Sequence, residues 1–328
     1  MDKKRVFSGM RPTGNLHIGH MSVLENWISM QDSYDCTFGV VDWHALTTSY
    51  EDPSDIRNHT REMLLDWLSV GLDPEKSTIM VQSQVKQHAE LHLLLSMLMP
   101  LSWLERVPTY KDQIQQLAKE GKNITTYGFL GYPLLMAADI LVYKAEVVPV
   151  GEDQLVHLEL TREVGRRFNH LYQREVFPDA EALLAKVPMV PGIDKRKMSK
   201  SYNNYIPIYT TKKELEQKVR QMITDPGRIR KDDPGNPDIC VVYSYQKIYN
   251  SKEHQEIAEN CRKGQIGCVE CKKKLAHNLT ELLSPVWEKR EQLASDQKLV
   301  EDILEQGNKK AREVTEKTLM EVREVMGV

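Results

Sequence analysis

Short apolar runs alternate with longer segments of helical periodicity in the first part of the chain. The runs at 5–9, 37–41 and 78–81 predict buried strands, because turn-forming or polar residues bound each of them. Apolar positions recur at helical spacing from Leu16 and again over 55–70. Strands that alternate with helices favour a parallel sheet with crossover helices, and such sheets bind ligands outside the carboxyl ends of their strands.

The alternation continues to the middle of the chain and then stops. The further predicted elements are helices at 90–99, 132–143 and 155–168 and a strand at 147–150. From Lys212 onwards the pattern is mostly helical and charged, and 295–326 reads as an amphipathic helix or helix pair. The predicted fold class is α/β, a Rossmann-like parallel sheet over 1–205 followed by an α-helical domain over 206–328.

Composition sets limits on function. The 328 residues are 41% hydrophobic and 28% charged, which suits a globular protein of two domains. The formal net charge of -3 provides no overall positive field, so any contact with nucleic acid needs a local basic patch. No apolar run approaches the roughly 20 residues of a membrane-spanning helix, and no apolar segment follows the charged N-terminus. The expected location is cytoplasmic, with no membrane partner.

The first chemical motif is TGNLHIGH at 13–20, placed between a predicted strand and a predicted helix. Backbone N–H groups at a helix N-terminus favour anions, and Gly19 permits close approach of a ligand. His17 and His20 are three residues apart, so both are expected on one helical face, where each can donate hydrogen bonds to phosphate. Two histidines at an ordinary helix start are the alternative.

The second motif is KMSKS at 197–201, after a turn at 191–194. Its two lysines and two hydroxyls can surround a triphosphate and stabilise charge on a leaving pyrophosphate. A solvated basic loop is the alternative for such a segment taken alone.

Together the two motifs resemble the HIGH and KMSKS signatures of class I aminoacyl-tRNA synthetases. Between them, GYPLLMAADIL at 131–141 and VPVGEDQ at 148–154 are similar to tryptophanyl-tRNA synthetases. The resemblance covers most of residues 5–205. It implies activation of L-tryptophan with ATP, then transfer to the 3′ end of tRNA(Trp), by a homodimer.

The resemblance also implies where ATP binds. His17, His20, Lys197 and Lys200 are the expected catalytic residues, and Mg²⁺ is expected to travel with the ATP phosphates. The expected ATP-binding residues are Arg11, Pro12, Thr13, Gly19, His20, Lys111, Gly151, Glu152, Asp153, Val187, Lys197, Met198, Ser199, Lys200 and Ser201.

Asp139 is the residue expected to select tryptophan. An indole N–H is only a donor, so a buried acceptor is its natural partner, and a site built on that bond rejects ligands that lack the donor. The other residues expected around tryptophan are Phe7, His44, Tyr132, Met136, Val148, Val150 and Gln154. For the two valines and the histidine, ordinary core packing is the alternative.

Four of the five cysteines form a candidate metal site: Cys240, Cys261, Cys268 and Cys271. Four thiolates can hold zinc or an iron–sulfur cluster. The last three have the spacing C-x6-C-x2-C, and the arrangement resembles that of a subset of tryptophanyl-tRNA synthetases with a 4Fe-4S cluster near the anticodon-binding region. The resemblance implies a 4Fe-4S cluster, with Zn²⁺ as the alternative.

Three other functions remain open from the sequence. A tyrosyl-tRNA synthetase shares both signatures, although the MAAD segment at 136–139 favours tryptophan. A small-molecule nucleotidyltransferase can share the H-x-G-H start but lacks the complete KMSKS loop. A non-catalytic, metal-bearing tRNA-binding paralogue would not need the signature histidines and lysines that are present here.

Overall fold

Five parallel strands form the sheet of this computed structural model, which describes residues 3–108, 110–112, 114, 125–184, 190–198 and 202–328. The strands are β1 (Arg5–Met10), β2 (Asp35–Val40), β3 (Ser77–Val81), β4 (Val147–Val150) and β5 (Glu181–Leu184). Their order across the sheet is β3-β2-β1-β4-β5, and each neighbouring pair is parallel. The predicted α/β class is confirmed.

Helices flank the sheet and make up the C-terminal part. They are α1 (Met21–Met30), α2 (Asp42–Ser49), α3 (Ile56–Val70), α4 (Gln87–Ser96), α5 (Leu101–Glu105), α6 (Tyr127–Leu130), α7 (Tyr132–Leu141), α8 (Leu155–Tyr172), α9 (Lys212–Gln221), α10 (Val241–Tyr249), α11 (His254–Arg262), α12 (Cys268–Ser295) and α13 (Gln297–Met326). The segment predicted as a helix or helix pair at the C-terminus is one helix. None of the described helices is long and apolar enough to cross a membrane.

The predicted helix start at Leu16 was wrong. Residues 16–18 instead pair with 206–208: the Ile18 amide donates to the Ile206 carbonyl at 2.9 Å, and the Ile208 amide donates to the Leu16 carbonyl at 3.0 Å. A short 3-10 turn at Ile18–His20 then leads into α1. His17 is extended and lies before the helix, so the two histidines do not share a helical face. Their rings are nevertheless adjacent, with centroids 3.8 Å apart.

Strand β5 is absent from the sequence prediction. Its four residues include only a short apolar run, and its burial is partial because it lies at the edge of the sheet. Periodicity over so few half-buried positions is too weak to identify a strand.

The C-terminal helix α13 covers the opposite edge of the sheet. The side-chain oxygen of Asn308 accepts a hydrogen bond from the Val81 amide at 3.0 Å. A β-carbon on Gly307 would overlap the Ile79 carbonyl oxygen, so only glycine permits this approach. The helix thereby protects an edge that would otherwise present unpaired backbone groups. The division at residues 205 and 206 stays a prediction, since contacts such as these join the two parts.

Candidate active site

A cavity of about 380 Å³ opens at the carboxyl ends of β1 and β4. All eight residues expected around tryptophan line it: Phe7, His44, Tyr132, Met136, Asp139, Val148, Val150 and Gln154. Its lining also includes Trp27, Phe129 and His157, which the sequence analysis did not select. The cavity is therefore at the position that a parallel sheet provides for ligands, and it combines apolar walls with a few polar groups.

Asp139 lies at the centre of a buried hydrogen-bond network. Helix α7 begins with Pro133 in its first turn, which suits a helix start, and places the Asp139 carboxylate in the cavity with only 2% of the residue exposed. The Gln82 amide donates to both carboxylate oxygens at 2.7 and 2.8 Å. His44 Nε2 lies 3.0 Å from one oxygen and His88 Nδ1 lies 2.7 Å from the other.

These partners keep Asp139 ionised. Burial by itself raises the pKa of this carboxyl, but the hydrogen bonds from His44 and His88 outweigh burial and lower the pKa to about 2. The cavity consequently has a fixed negative group against which a neutral donor can be placed. Selection among ligands then depends on whether a ligand presents a donor to this group.

The partners Gln82, His88 and Tyr143 were missed by the sequence analysis. Tyr143 extends the network, since its hydroxyl lies 3.0 Å from His88 Nε2. One signal was available: Gln82 directly follows β3, at the sheet edge where ligand-binding residues collect. The amide oxygen of Gln82 also accepts from the Trp43 backbone N–H at 3.1 Å, which fixes the orientation of the side chain.

The expected ATP-binding residues divide between the cavity and its surroundings. Arg11 and Gly151 line the cavity. Burial lowers the pKa of the Arg11 guanidinium from its ordinary value. Pro12 is buried, whereas Thr13 is exposed beside it. Glu152 and Asp153 are exposed in the 3-10 turn that follows β4, next to the cavity residues Gly151 and Gln154.

The two signature segments touch each other. A β-carbon on Gly19 would lie 3.6 Å from Sδ of Met198, and 3.0 Å from two atoms of the His17 ring. Lys197 pairs with Pro191 in an isolated β-bridge and is exposed, whereas Met198 is 8% exposed. Gly19 of the first motif and Met198 of the second, far apart in the sequence, therefore lie next to each other.

Five of the expected site residues remain to be accounted for. Val187, Ser199, Lys200 and Ser201 lie outside the described residues. Lys111 is exposed, and it is not among the described residues that line the cavity.

Comparisons with known proteins identify the family. The family model of class I tRNA synthetases for tryptophan and tyrosine (W and Y) matches residues 2–284. The tryptophan–tRNA ligase of Thermotoga maritima is 52% identical over 328 residues, covering 99% of both chains. This chain belongs to the class I tryptophanyl-tRNA synthetases. The Aquifex aeolicus tryptophan–tRNA ligase is 43% identical to the synthetase over 394 residues, covering 99% of this chain and 100% of the other.

A solved structure supports the same assignment. Tryptophanyl-tRNA synthetase from Campylobacter jejuni, complexed with ADP and tryptophan, matches with a TM-score of 0.90 at 30% identity, covering 99% of this chain and 100% of the other. The predicted activity, that of a tryptophan–tRNA ligase, is confirmed by these relatives. Tyrosyl-tRNA synthetase from Archaeoglobus fulgidus matches at 20% identity with a TM-score of 0.66, and this likeness shows the fold alone.

The four candidate metal-binding cysteines line one small cavity in the helical part of the synthetase. The Arg228 guanidinium lies 3.7 Å from Sγ of Cys261 and 3.9 Å from Sγ of Cys268. The Gln246 amide lies 3.8 Å from Sγ of Cys271. Across the described residues, no three His, Cys, Asp or Glu side chains are grouped so that they could hold a single metal ion.

Burial makes three of these thiols weakly acidic. It raises the pKa of Cys240 and Cys261, and it raises the pKa of Cys271 to about 12. A cationic centre would reverse this preference, because a coordinating thiol is deprotonated.

Proposed function

We propose that the synthetase joins L-tryptophan to tRNA(Trp) in two steps within the cavity between β1 and β4. The observation that carries the proposal is the contact of Gly19 with Met198 beside a cavity that contains the buried carboxylate of Asp139. The two segments that contain Gly19 and Met198 supply groups that bind phosphates, and the cavity supplies a hydrogen-bond acceptor for an indole.

Tryptophan recognition rests on shape and one hydrogen bond. The indole ring fits among Phe7, Met136 and Val150, whose apolar surfaces line the cavity. The indole N–H donates to Asp139, and Gln154 at the cavity rim binds the amino group. Phenylalanine offers no N–H, so its binding would leave the carboxylate without that partner.

Activation follows from placing two substrates in line. A tryptophan carboxylate oxygen forms a bond to the α-phosphorus of ATP while the bond from that phosphorus to the bridging oxygen breaks, which releases pyrophosphate. His17, His20, Lys197 and Lys200 stabilise the departing charge, and Arg11 neutralises charge at the cavity mouth. Mg²⁺, when bound, adds a further positive charge on the phosphates, which themselves supply its oxygen ligands. A terminal ribose hydroxyl of tRNA then attacks the carbonyl carbon of tryptophanyl-adenylate, and AMP leaves.

A basic groove of about 620 Å³ between α9 and α12 provides a surface for tRNA phosphates. Its lining includes Lys212, Arg220, Lys272, Lys273 and His277, against the single acidic residue Glu216. In a chain with a formal net charge of -3, this local excess of cations is the patch that contact with nucleic acid requires.

The cysteine cavity is proposed to hold a 4Fe-4S cluster through Cys240, Cys261, Cys268 and Cys271. All four thiols line this one cavity, and four thiolates are the ligand set of such clusters. Among the described residues the buried Nε of Arg228 has no hydrogen-bond partner, and the guanidinium can compensate the negative charge of such a cluster. Zinc remains the alternative occupant.

The synthetase is further proposed to act in the cytoplasm as a homodimer. Large apolar side chains are exposed from α4 to α6, among them Met97 at 70% and Tyr127 at 71%, and such residues mark surfaces for association.

Amino-acid-dependent exchange between ATP and labelled pyrophosphate tests the proposed reaction. We expect exchange with tryptophan and none with tyrosine or phenylalanine. Exchange driven by tyrosine alone, or tRNA binding without any exchange, would overturn it. For the basic groove, Lys272→Glu with Lys273→Glu should impair aminoacylation but not exchange, whereas Lys309→Glu with Lys310→Glu on the exposed face of α13 should impair neither.

A further inference from the structure

A buried ion pair links helix α12, in the C-terminal part of the chain, to helix α3. Nε of Arg290 on α12 donates to Oδ1 of Asp66 on α3 at 2.7 Å, and a second guanidinium nitrogen of Arg290 donates to Glu62. Arg290 is 5% exposed and Asp66 is 2% exposed. Desolvation makes such a pair a poor source of stability compared with apolar residues of similar size, so its presence calls for another explanation.

Asp66 also contacts the histidine segment, and Arg290 contacts the segment 206–209, which follows the lysine loop in the sequence. Oδ2 of Asp66 accepts from the backbone N–H of Leu16, the residue before His17, at 3.4 Å. The Arg290 guanidinium carbon lies 4.0 Å from the centroid of the Tyr209 ring, in the segment that follows the lysine loop. One ion pair thus contacts both the histidine segment and the segment that follows the lysine loop.

The two segments are themselves joined by the pairing of residues 16–18 with 206–208. Helix α12 holds this pairing at a second point, because Nε1 of Trp287 donates to the Ile208 carbonyl at 2.8 Å. The relative position of the two segments is therefore set by α12 through Trp287 and Arg290, and by α3 through Asp66.

We propose that Asp66 and Arg290 are positioning residues, which fix the histidine segment relative to the lysine segment so that both reach the same ATP. The inference rests on the proposed function, since it assumes that these segments bind ATP. It assigns a role to two residues that lie outside the cavity and touch no substrate. Loss of the pair would shift the histidine segment by a small amount, and sub-ångström to ångström displacements are costly in a site that acts by alignment.

The test is the double variant Asp66→Leu with Arg290→Met. It removes both charges of the most deeply buried pair together, and the remaining Glu62 carboxylate is 27% exposed and can be hydrated. In tryptophan-dependent pyrophosphate exchange we expect KM for ATP to rise about tenfold, which is within the range of coupling through such networks. The dissociation constant for tryptophan, measured without ATP, should stay within about twofold, because the cavity is intact.

A matched control removes another interhelical pair. Glu90→Leu with Arg323→Met deletes the bidentate contact between α4 and α13, whose distances are 2.6 and 2.8 Å. We expect this variant to retain the wild-type KM for ATP. If both double variants raise KM for ATP equally, or if the Asp66 and Arg290 variant weakens tryptophan and ATP together, the contact is merely structural and the proposal fails.

A milder variant keeps the proposal testable if the double variant does not fold. Tyr209 is 39% exposed, so Tyr209→Leu removes the ring under Arg290 without opening the core. Like the double variant, it should raise KM for ATP and leave the dissociation constant for tryptophan unchanged. An unchanged KM for ATP would contradict the inference. Wild-type exchange activity in the same experiment tests the proposed function separately, since it does not depend on either variant.

Discussion

Sδ of Met198 lies against Gly19, 3.6 Å from the place that a β-carbon of Gly19 would occupy. These residues are far apart in the sequence, and each belongs to one of the two motifs expected to bind the ATP phosphates. The pairing of residues 16–18 with 206–208 joins the same two parts of the chain.

Adding one methyl group to Gly19 should disturb this contact. The β-carbon of Gly19→Ala would lie 3.0 Å from Cε1 and Nδ1 of His17, so the imidazole has to shift by a few tenths of an ångström. We expect kcat for pyrophosphate exchange to fall about 10-fold to 100-fold with little change in thermal stability. Gly128→Ala is the control, because the one described atom within 4 Å of its β-carbon would be Thr126 Oγ1, at 4.0 Å. Equal activity in both variants would contradict the assignment.

Replacing the Asp139 carboxylate should affect tryptophan far more than ATP. In Asp139→Asn an NH2 group replaces one carboxylate oxygen. This donor faces other donors from Gln82, His44 and His88, and the indole loses its acceptor. We expect KM for tryptophan to rise about 100-fold and KM for ATP to change less than about threefold. Asp153→Asn should raise KM for ATP more than KM for tryptophan, since Asp153 lies in the turn expected to hold the nucleotide. Equal effects on the two substrates in either variant would count against these roles.

The Asp139 carboxyl should also give stability a defined dependence on pH. Its pKa in the folded protein is about 2, below the ordinary 3.8, because hydrogen bonds from His44 and His88 outweigh burial. The ionised form is therefore favoured by folding, and this contribution is complete above pH ~4 and is lost as the pH falls toward 2.

The size of this contribution follows from the lowered pKa. It amounts to about 2 kcal/mol of the free energy of unfolding. Denaturant titrations should show that wild type loses more stability than Asp139→Asn between pH 5 and 3. Parallel curves for the two proteins would show that the carboxyl is not held ionised.

Colour and metal content should distinguish the two occupants proposed for the cysteine cavity. Protein purified without oxygen should be brown, absorb near ~400 nm and bleach on oxidation, as thiolate-bound iron–sulfur clusters do. Cys268→Ser should lose the absorption. Cys36→Ala should keep it, because Cys36 is fully buried in β2 and lies outside the cavity. A colourless protein with stoichiometric zinc would refute the cluster.

Local patterns predicted most of the fold, since the apolar runs identified four of the five strands. The eight residues expected around tryptophan line one cavity, and their role in binding tryptophan stays a prediction. The edge strand β5 was missed because its few half-buried residues carry almost no periodic signal.

Long-range contacts account for what the sequence did not reveal. His17 is extended rather than helical because residues 206–208 pair with its segment, which overrides the local helical periodicity. Gln82 follows β3 and His88 belongs to α4, so their contacts with Asp139 on α7 join elements that are distant in sequence. The pair of Asp66 and Arg290 joins helices distant in sequence, and nothing in either local segment indicates a partner for the other.

A crystal structure with tryptophan and a non-hydrolysable ATP analogue bound together is the most direct test. The account predicts the indole nitrogen within about 3 Å of an Asp139 carboxylate oxygen, and the triphosphate between His20 and Lys197. Tryptophan bound elsewhere, or phosphates that contact only one of the two segments, would contradict it.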